Sequence, residues 1–219
     1  METQKPIINL SPQQLRVLGS LIEKSRTTPE YYPITLNSLQ SACNQKTSRK
    51  PVVNYSQQDI IESLDQLKKA GLISTVLGGG SRVIKYKHNL AIHYPFVAAQ
   101  LAILCVLFLR GPLTAGEINT YSARLYEFDD LDELQDYLDQ LTHPENPYIK
   151  LLDKKAGQKE SRYIHLFSDS SQEEYIDSFN QEDLHIDQNN NALVQRIEVL
   201  ENQLAELRKD FDDLLAQLT

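Results

Sequence analysis

Six cations sit in two short stretches of the chain: Lys46, Arg49 and Lys50 in NQKTSRKPVVNYS (44–56), and Arg82, Lys85 and Lys87 in SRVIKYKH (81–88). The chemistry open to them is neutralisation of phosphate. Lysine and arginine displace counterions from a nucleic-acid backbone, and nearby carboxylates would weaken the contact. The first stretch holds three positive charges and no negative one, and Thr47, Ser48, Asn54 and Tyr55 add neutral donors of the kind that fix a backbone in place. These six residues are the expected DNA phosphate contacts. The competing expectation is a solvated loop and an edge strand guarded by lysines, which suits the second stretch better than the first.

Catalytic chemistry finds little support. His88, His93, His143, His165 and His185 form no zinc-binding spacing, and no nucleophile motif or phosphate-binding glycine loop is present. The GGGS at 78–81 lies between two β-prone runs, so its glycines serve a turn. Cys43 and Cys105 fall in apolar helical patterns and read as small core residues with reduced thiols. The expectation is a chain that is not an enzyme and has no catalytic residue, metal or cofactor.

The formal charge of −8 conceals an asymmetry: residues 1–90 carry +6, residues 91–168 carry −4 and residues 169–219 carry −10. A basic first part is thus masked by an acidic end. The most apolar run, FVAAQLAILCVLFL (96–109), falls short of the roughly 20 residues that span a bilayer, and reads as a buried helix. With no apolar signal core at the N-terminus, the expected location is the cytoplasm, with no membrane partner.

The elements that must position the cations follow from periodicity. Ser11-Pro12 opens a helix through Leu15, Leu18, Leu21 and Ile22; Thr35 caps a second through Leu36, Leu39 and Cys43. Ser56 with Asp59 caps a third through Ile60, Leu64 and Leu67, which Gly71 ends. LISTVL and RVIKYKH then read as a hairpin. The order recurs: a helix over 95–110, a capping signature at Thr114 and Glu117, a helix through Leu131, Leu134, Leu138 and Leu141, and a hairpin YIKLLDKK-AGQ-KESRYIHLF. SRVIKY (81–86) even recurs as SRYIHL (161–166). The expected fold is mainly α with small β-hairpins (α+β): two tandem winged-helix domains, 10–90 and 91–168, an acidic flexible linker at 169–191, and a coiled-coil helix at 192–219.

That last helix carries Leu193, Ile197, Leu200, Leu204, Leu207, Phe211, Leu214 and Leu218 at alternating spacings of four and three, a heptad seam expected to pair two chains as a homodimer. The alternative is a single amphipathic helix folded back on its own domain.

The third helices argue against base reading. QQDIIESLDQLKKAG offers Gln57, Gln58 and Gln66 but also Asp59, Glu62 and Asp65, and DDLDELQDYLDQL has no basic residue. The second unit therefore reads as a protein-facing surface or as a unit packed against the first. Two functions follow as expectations: a DNA-binding, regulatory, dimeric winged-helix protein, or a protein-interaction module of the kind that tandem winged helices provide in chromosome-segregation complexes.

TTPEYYP with Asn37, ACNQKTSRKPV (42–52), GSRVIKY (80–86), LRGPLTAGEI (109–118), SARLYEF (122–128), ESRYIHLF (160–167) and the C-terminal heptads resemble the YceH-like family of bacterial proteins. The resemblance implies the tandem winged-helix fold and a bacterial source, and no function. Where such proteins commonly carry an acidic residue between the loop arginine and the proline, this chain has Lys50. The shared part of the loop, Cys43-Asn44-Gln45-Lys46 with Arg49 and Pro51, then has a structural alternative, in which the amides tie the loop down and Pro51 keeps residue 50 out of helical geometry.

Overall fold

The computed structural model describes residues 6–77, 83–154, 158–168 and Gln203. Of the expected elements, the 169–191 linker and the heptad seam from Leu193 to Leu218 lie outside the described residues, as do Arg82 and the glycine-rich turn.

Among the described residues the chain is mainly helical with small antiparallel sheets. Helix α1 (Pro12–Thr27) starts at Ser11, whose hydroxyl accepts from Gln14 N–H while the Gln14 side chain accepts from Ser11 N–H. A two-residue strand β1 (Ile34–Thr35) leads into α2 (Leu36–Cys43), capped by Thr35. The loop 44–56 then leads to α3 (Gln57–Lys69), capped by Ser56 and Asp59 and closed by Gly71 at φ 74°. Strands β2 (Ile73–Leu77) and β3 (Ile84–His88) follow, then a short helix α4 (Leu90–His93) that sequence periodicity did not announce.

The second run comprises α5 (Ala98–Arg110), α6 (Ala115–Ser122), α7 (Leu131–Thr142), β4 (Ile149–Leu151) and β5 (Tyr163–His165). Thr114 and Glu117 make the expected capping box on α6. On α7, Leu134, Leu138 and Leu141 are buried, whereas Leu131, expected on the same stripe, stands 59% exposed at the first turn.

The first sheet has the order β1-β3-β2, with Ile34 opposite Tyr86 and Thr35 opposite Lys85 on one side, and Thr75 and Val76 opposite them on the other. Strand β3 is therefore central at Lys85. The edge-strand explanation for that lysine fails, because a third strand, too short to read from sequence, covers its outer side.

Residues 6–168 belong to one compact unit with one continuous apolar core. The boundary expected near residue 90 is part of that core: Leu90, Tyr94 and Phe96 are buried. Helix α5 is apolar all round, which buries it on every side. It packs against α1 from the first run and against α6, α7 and β5 from the second. Gly19 sets the approach to α1: a Cβ there would lie 2.9 Å from Leu109 Cδ2 and 3.2 Å from Phe108 Cβ. The N-terminal segment also crosses to the second run, with Leu10 N–H donating to Phe167 O at 2.8 Å.

Candidate functional site

Of the six expected phosphate contacts, Arg49 is a correction. It is buried, and its guanidinium grips Glu23 of α1 with Nη2 2.5 Å from Oε2 and Nη1 3.2 Å from Oε1. Its remaining bonds go to Ala42 O from Nε at 3.1 Å and to Ser48 O from Nη1 at 3.0 Å. A buried carboxylate needs a paired cation, and the loop supplies it. Burial alone would raise the Glu23 pKa, but the bidentate bonds and charge of Arg49 hold it below the usual carboxylate value.

A second buried arginine holds the loop from beneath. Arg16 of α1 donates to Cys43 O at 3.1 Å and Pro51 O at 2.6 Å. Above, Asn44 clasps Tyr55: its Nδ2 donates to Tyr55 O at 2.9 Å and its Oδ1 accepts from Tyr55 N–H at 2.8 Å. Gln40 donates to the same carbonyl at 3.1 Å. The structural alternative for the loop thus holds for Asn44 and Arg49. The sequence passes Arg16 and Glu23 by, since the leucine stripe marks one face of α1 only. The signal that could have found them is opposite that stripe, where Val17, Gly19 and Ser20 are small enough to admit a second helix and bury the charges between them.

The other cations are differently placed. Lys46 is exposed and Lys50 is partly buried, with its N–H donating to Leu109 O at 2.8 Å. Lys85 and Lys87 alternate with Tyr86 on β3 and so share one face of the sheet, away from buried Ile34 and Ile73. Lys85 also lines an open cleft of about 390 Å³ with Lys24, Thr28, Tyr31, Pro33, Ile34, Thr35 and Ser38. Tyr31 stands 71% exposed. The cleft brings together two ammonium groups, of which Lys24 also lies 3.8 Å from Glu23, and the exposed Tyr31. Thr28 donates to Lys24 O at 3.2 Å, and Thr35 and Ser38 bond each other at the start of α2, so Lys85 is the cation most open to a phosphate there. Neither Lys24 nor TTPEYYP is among the residues whose sequence pattern points to phosphate.

The glutamines of α3 are engaged within the chain: Gln57 donates to Asn37 Oδ1 at 2.8 Å, Gln58 to Glu62 Oε1 at 3.0 Å, and Gln66 pairs with Gln14. This helix shows no free set of base-reading donors.

Neither thiol suits a nucleophile. Cys43 and Cys105 are fully buried; burial pushes the Cys43 thiol up to about 11 and raises that of Cys105 as well. No cluster of three metal-ligating side chains occurs among the described residues, and no helix there is long and apolar enough to cross a membrane.

In the second run, a groove of about 520 Å³ between α7 and the hairpin is lined by Gln135, Asp139, Thr142, Ile149, Leu151 and Tyr163, among others. Asp132, Asp136 and Asp139 are exposed along α7.

Comparison with known proteins matches residues 10–158 to a family described as protein of unknown function, DUF480. A UPF0502 protein of Shewanella sp. strain W3-18-1 is 44% identical over 222 residues, covering 97% of this chain and all of the relative. A UPF0502 protein of Pectobacterium atrosepticum is 39% identical over 212 residues, 94% of this chain and 98% of its own. One from Shewanella baltica strain OS185 is 48% identical over 168 residues, 75% of each chain.

Proposed function

The chain belongs to the DUF480 family, a group of uncharacterised bacterial proteins, and we propose that it is a YceH-like, tandem winged-helix protein of the cytoplasm that grips the DNA backbone with its first half. The element orders α1-β1-α2-α3-β2-β3 and α5-α6-α7-β4-β5 support two winged helices, each with its hairpin as the wing. Dimerisation through the heptads at 193–218 would present two such halves to one duplex.

The observation that carries the reading is Lys85. It lies on a central strand, where edge protection does not explain it, and opens with Lys24 into the hydroxyl-lined cleft beside α2. Lys46 and Lys87 extend the contact, and Arg82 belongs to the same wing in sequence. Since the glutamines of α3 are occupied, binding is expected to follow the phosphates and to be sequence-tolerant.

Duplex affinity measured by fluorescence anisotropy over a salt series tests this. Lys85→Gln with Lys87→Gln should flatten the slope of log affinity against log salt by about 1.8 per protomer. No binding by wild type at low salt, or equal slopes, would shift the reading to a protein-interaction module, which the acidic α7 and its groove favour. In that case a protein partner captured from bacterial lysate should survive nuclease treatment.

A further inference from the structure

The basic loop, the C-terminal end of α5 and the segment after α6 meet around Glu23. Arg124 Nη2 donates to Ser48 Oγ at 3.3 Å and lies 3.5 Å from Glu23 Oε1, while its side chain remains 64% exposed. The Arg110 guanidinium sits 3.7 Å from the centroid of the Tyr121 ring, partly buried. The Lys50 N–H to Leu109 O bond ties residues 48–50 to this same helix end.

Charge is out of balance here. Glu23 is bound by both terminal nitrogens of Arg49 and is also approached by Lys24 at 3.8 Å. It is the one carboxylate among the described residues within 4 Å of Arg124, and none is that close to Arg110. Two guanidiniums, Arg49 and Arg124, and the Lys24 ammonium therefore share one carboxylate, while Arg110, stacked on Tyr121, has none of the described carboxylates within 4 Å. Burial lowers the Arg110 pKa from its ordinary value; Tyr121 and Glu23 oppose the shift, while the charges of Arg124 and Arg49 add to it. Such crowding is costly unless an anion enters, and planar guanidiniums suit an oxyanion with several oxygens.

We propose that Arg124 and Arg110, with the Ser48 hydroxyl, form a seat for a phosphate oxyanion where the loop meets the second half. Arg124 is exposed enough to receive the ligand, the Ser48 hydroxyl accepts from its Nη2, and the Tyr121 ring holds the Arg110 guanidinium. This gives the second half, whose third helix lacks any basic residue, a phosphate contact of its own. Its residues differ from those lining the Lys24–Lys85 cleft, although Lys24 also reaches Glu23, and it does not depend on duplex binding. The phosphate could belong to a nucleic-acid backbone or to a small phosphorylated molecule.

The test is a titration of full-length, nitrogen-15-labelled protein with sodium pyrophosphate at low, matched ionic strength, following the arginine Nε–H resonances. Saturable shifts at Arg110 and Arg124 are expected. Arg124→Gln should weaken binding about tenfold or more, as loss of a charged donor does, with an unchanged melting temperature, and Arg124→Lys should recover part of the affinity. Non-saturating shifts, or equal affinity in Arg124→Gln, would overturn the seat. Competition by a short duplex assigns the site to a nucleic-acid backbone; saturable pyrophosphate binding without competition assigns it to a small phosphate compound. Saturable binding in a protein that binds no duplex sinks the cleft reading and leaves the seat standing. Duplex binding lost in the Lys85 and Lys87 variant, with no pyrophosphate shifts, does the reverse.

Discussion

Arg49 and Glu23, twenty-six residues apart, form a two-bond ion pair inside the protein, with the Arg49 side chain fully covered and that of Glu23 6% exposed. The loop that looks most like a nucleic-acid contact is thus partly a plug that neutralises a charge on α1. Arg49→Ala should destabilise the protein by about 3–5 kcal/mol, because it leaves a buried carboxylate without a partner. Glu23→Ala should cost a similar amount, and the double variant less than the sum of the two, as a double-mutant cycle in urea would show. Purely additive losses would contradict the pairing.

The α1–α5 packing gives a second expectation. Gly19→Ala improves helix propensity by about 1 kcal/mol, yet its Cβ would lie 2.9 Å from Leu109 Cδ2 and 3.0 Å from Leu109 Cγ. Overpacking of this kind costs about 1–3 kcal/mol, so a net loss of stability is expected. Leu109→Ala added to Gly19→Ala should then cost less than Leu109→Ala does alone, measured by thermal melting.

The Asn44 clasp offers a milder test. Asn44→Ala removes both bonds to the Tyr55 backbone. A loss of about 1–3 kcal/mol follows if the freed groups stay dry, whereas Lys46→Ala, at an exposed position, should stay within about 0.5 kcal/mol. Chemical denaturation of the two variants side by side reads the difference.

Acid should unfold the protein through two histidines. Burial, with Arg26 adding to it, lowers the His88 pKa to about 4, and burial lowers that of His165 to about 3. Both are neutral in the fold and take up protons on unfolding, so between pH 6.5 and about 4 the unfolded chain binds more protons. Stability is then fully present above pH 6.5 and falls below it by about 1.4 kcal/mol per pH unit for each histidine. Glu23 acts in the same direction at lower pH, since its folded pKa is depressed. Urea midpoints at pH 7.5, 6 and 5 measure the slope, and a flat profile would rule the assignment out.

The heptad at 193–218 should make full-length protein a dimer in sedimentation, and a chain ending at residue 190 a monomer. Two monomers would end the coiled-coil reading.

Local signals accounted for much of the helical framework. Ser11, Thr35, Ser56 and Thr114 each cap the helix that their spacing announced, because a capping hydroxyl and the N–H it accepts lie within three residues of one another. The apolar run ending at Leu109 announced a buried helix for a similar reason: a segment apolar on every face has only the interior to go to. Strand β1 was beyond sequence reading, since two residues carry no period and Ile34 becomes a strand only by pairing with Tyr86. The fate of each cation was likewise undecided in the sequence. Lys46 and Arg49 share a loop and a charge, but one is exposed and the other faces Glu23 in the interior. Composition sets the charge of a segment. Which of its charges meets water and which meets a buried carboxylate depends on where a distant helix passes, and tertiary packing alone decides that.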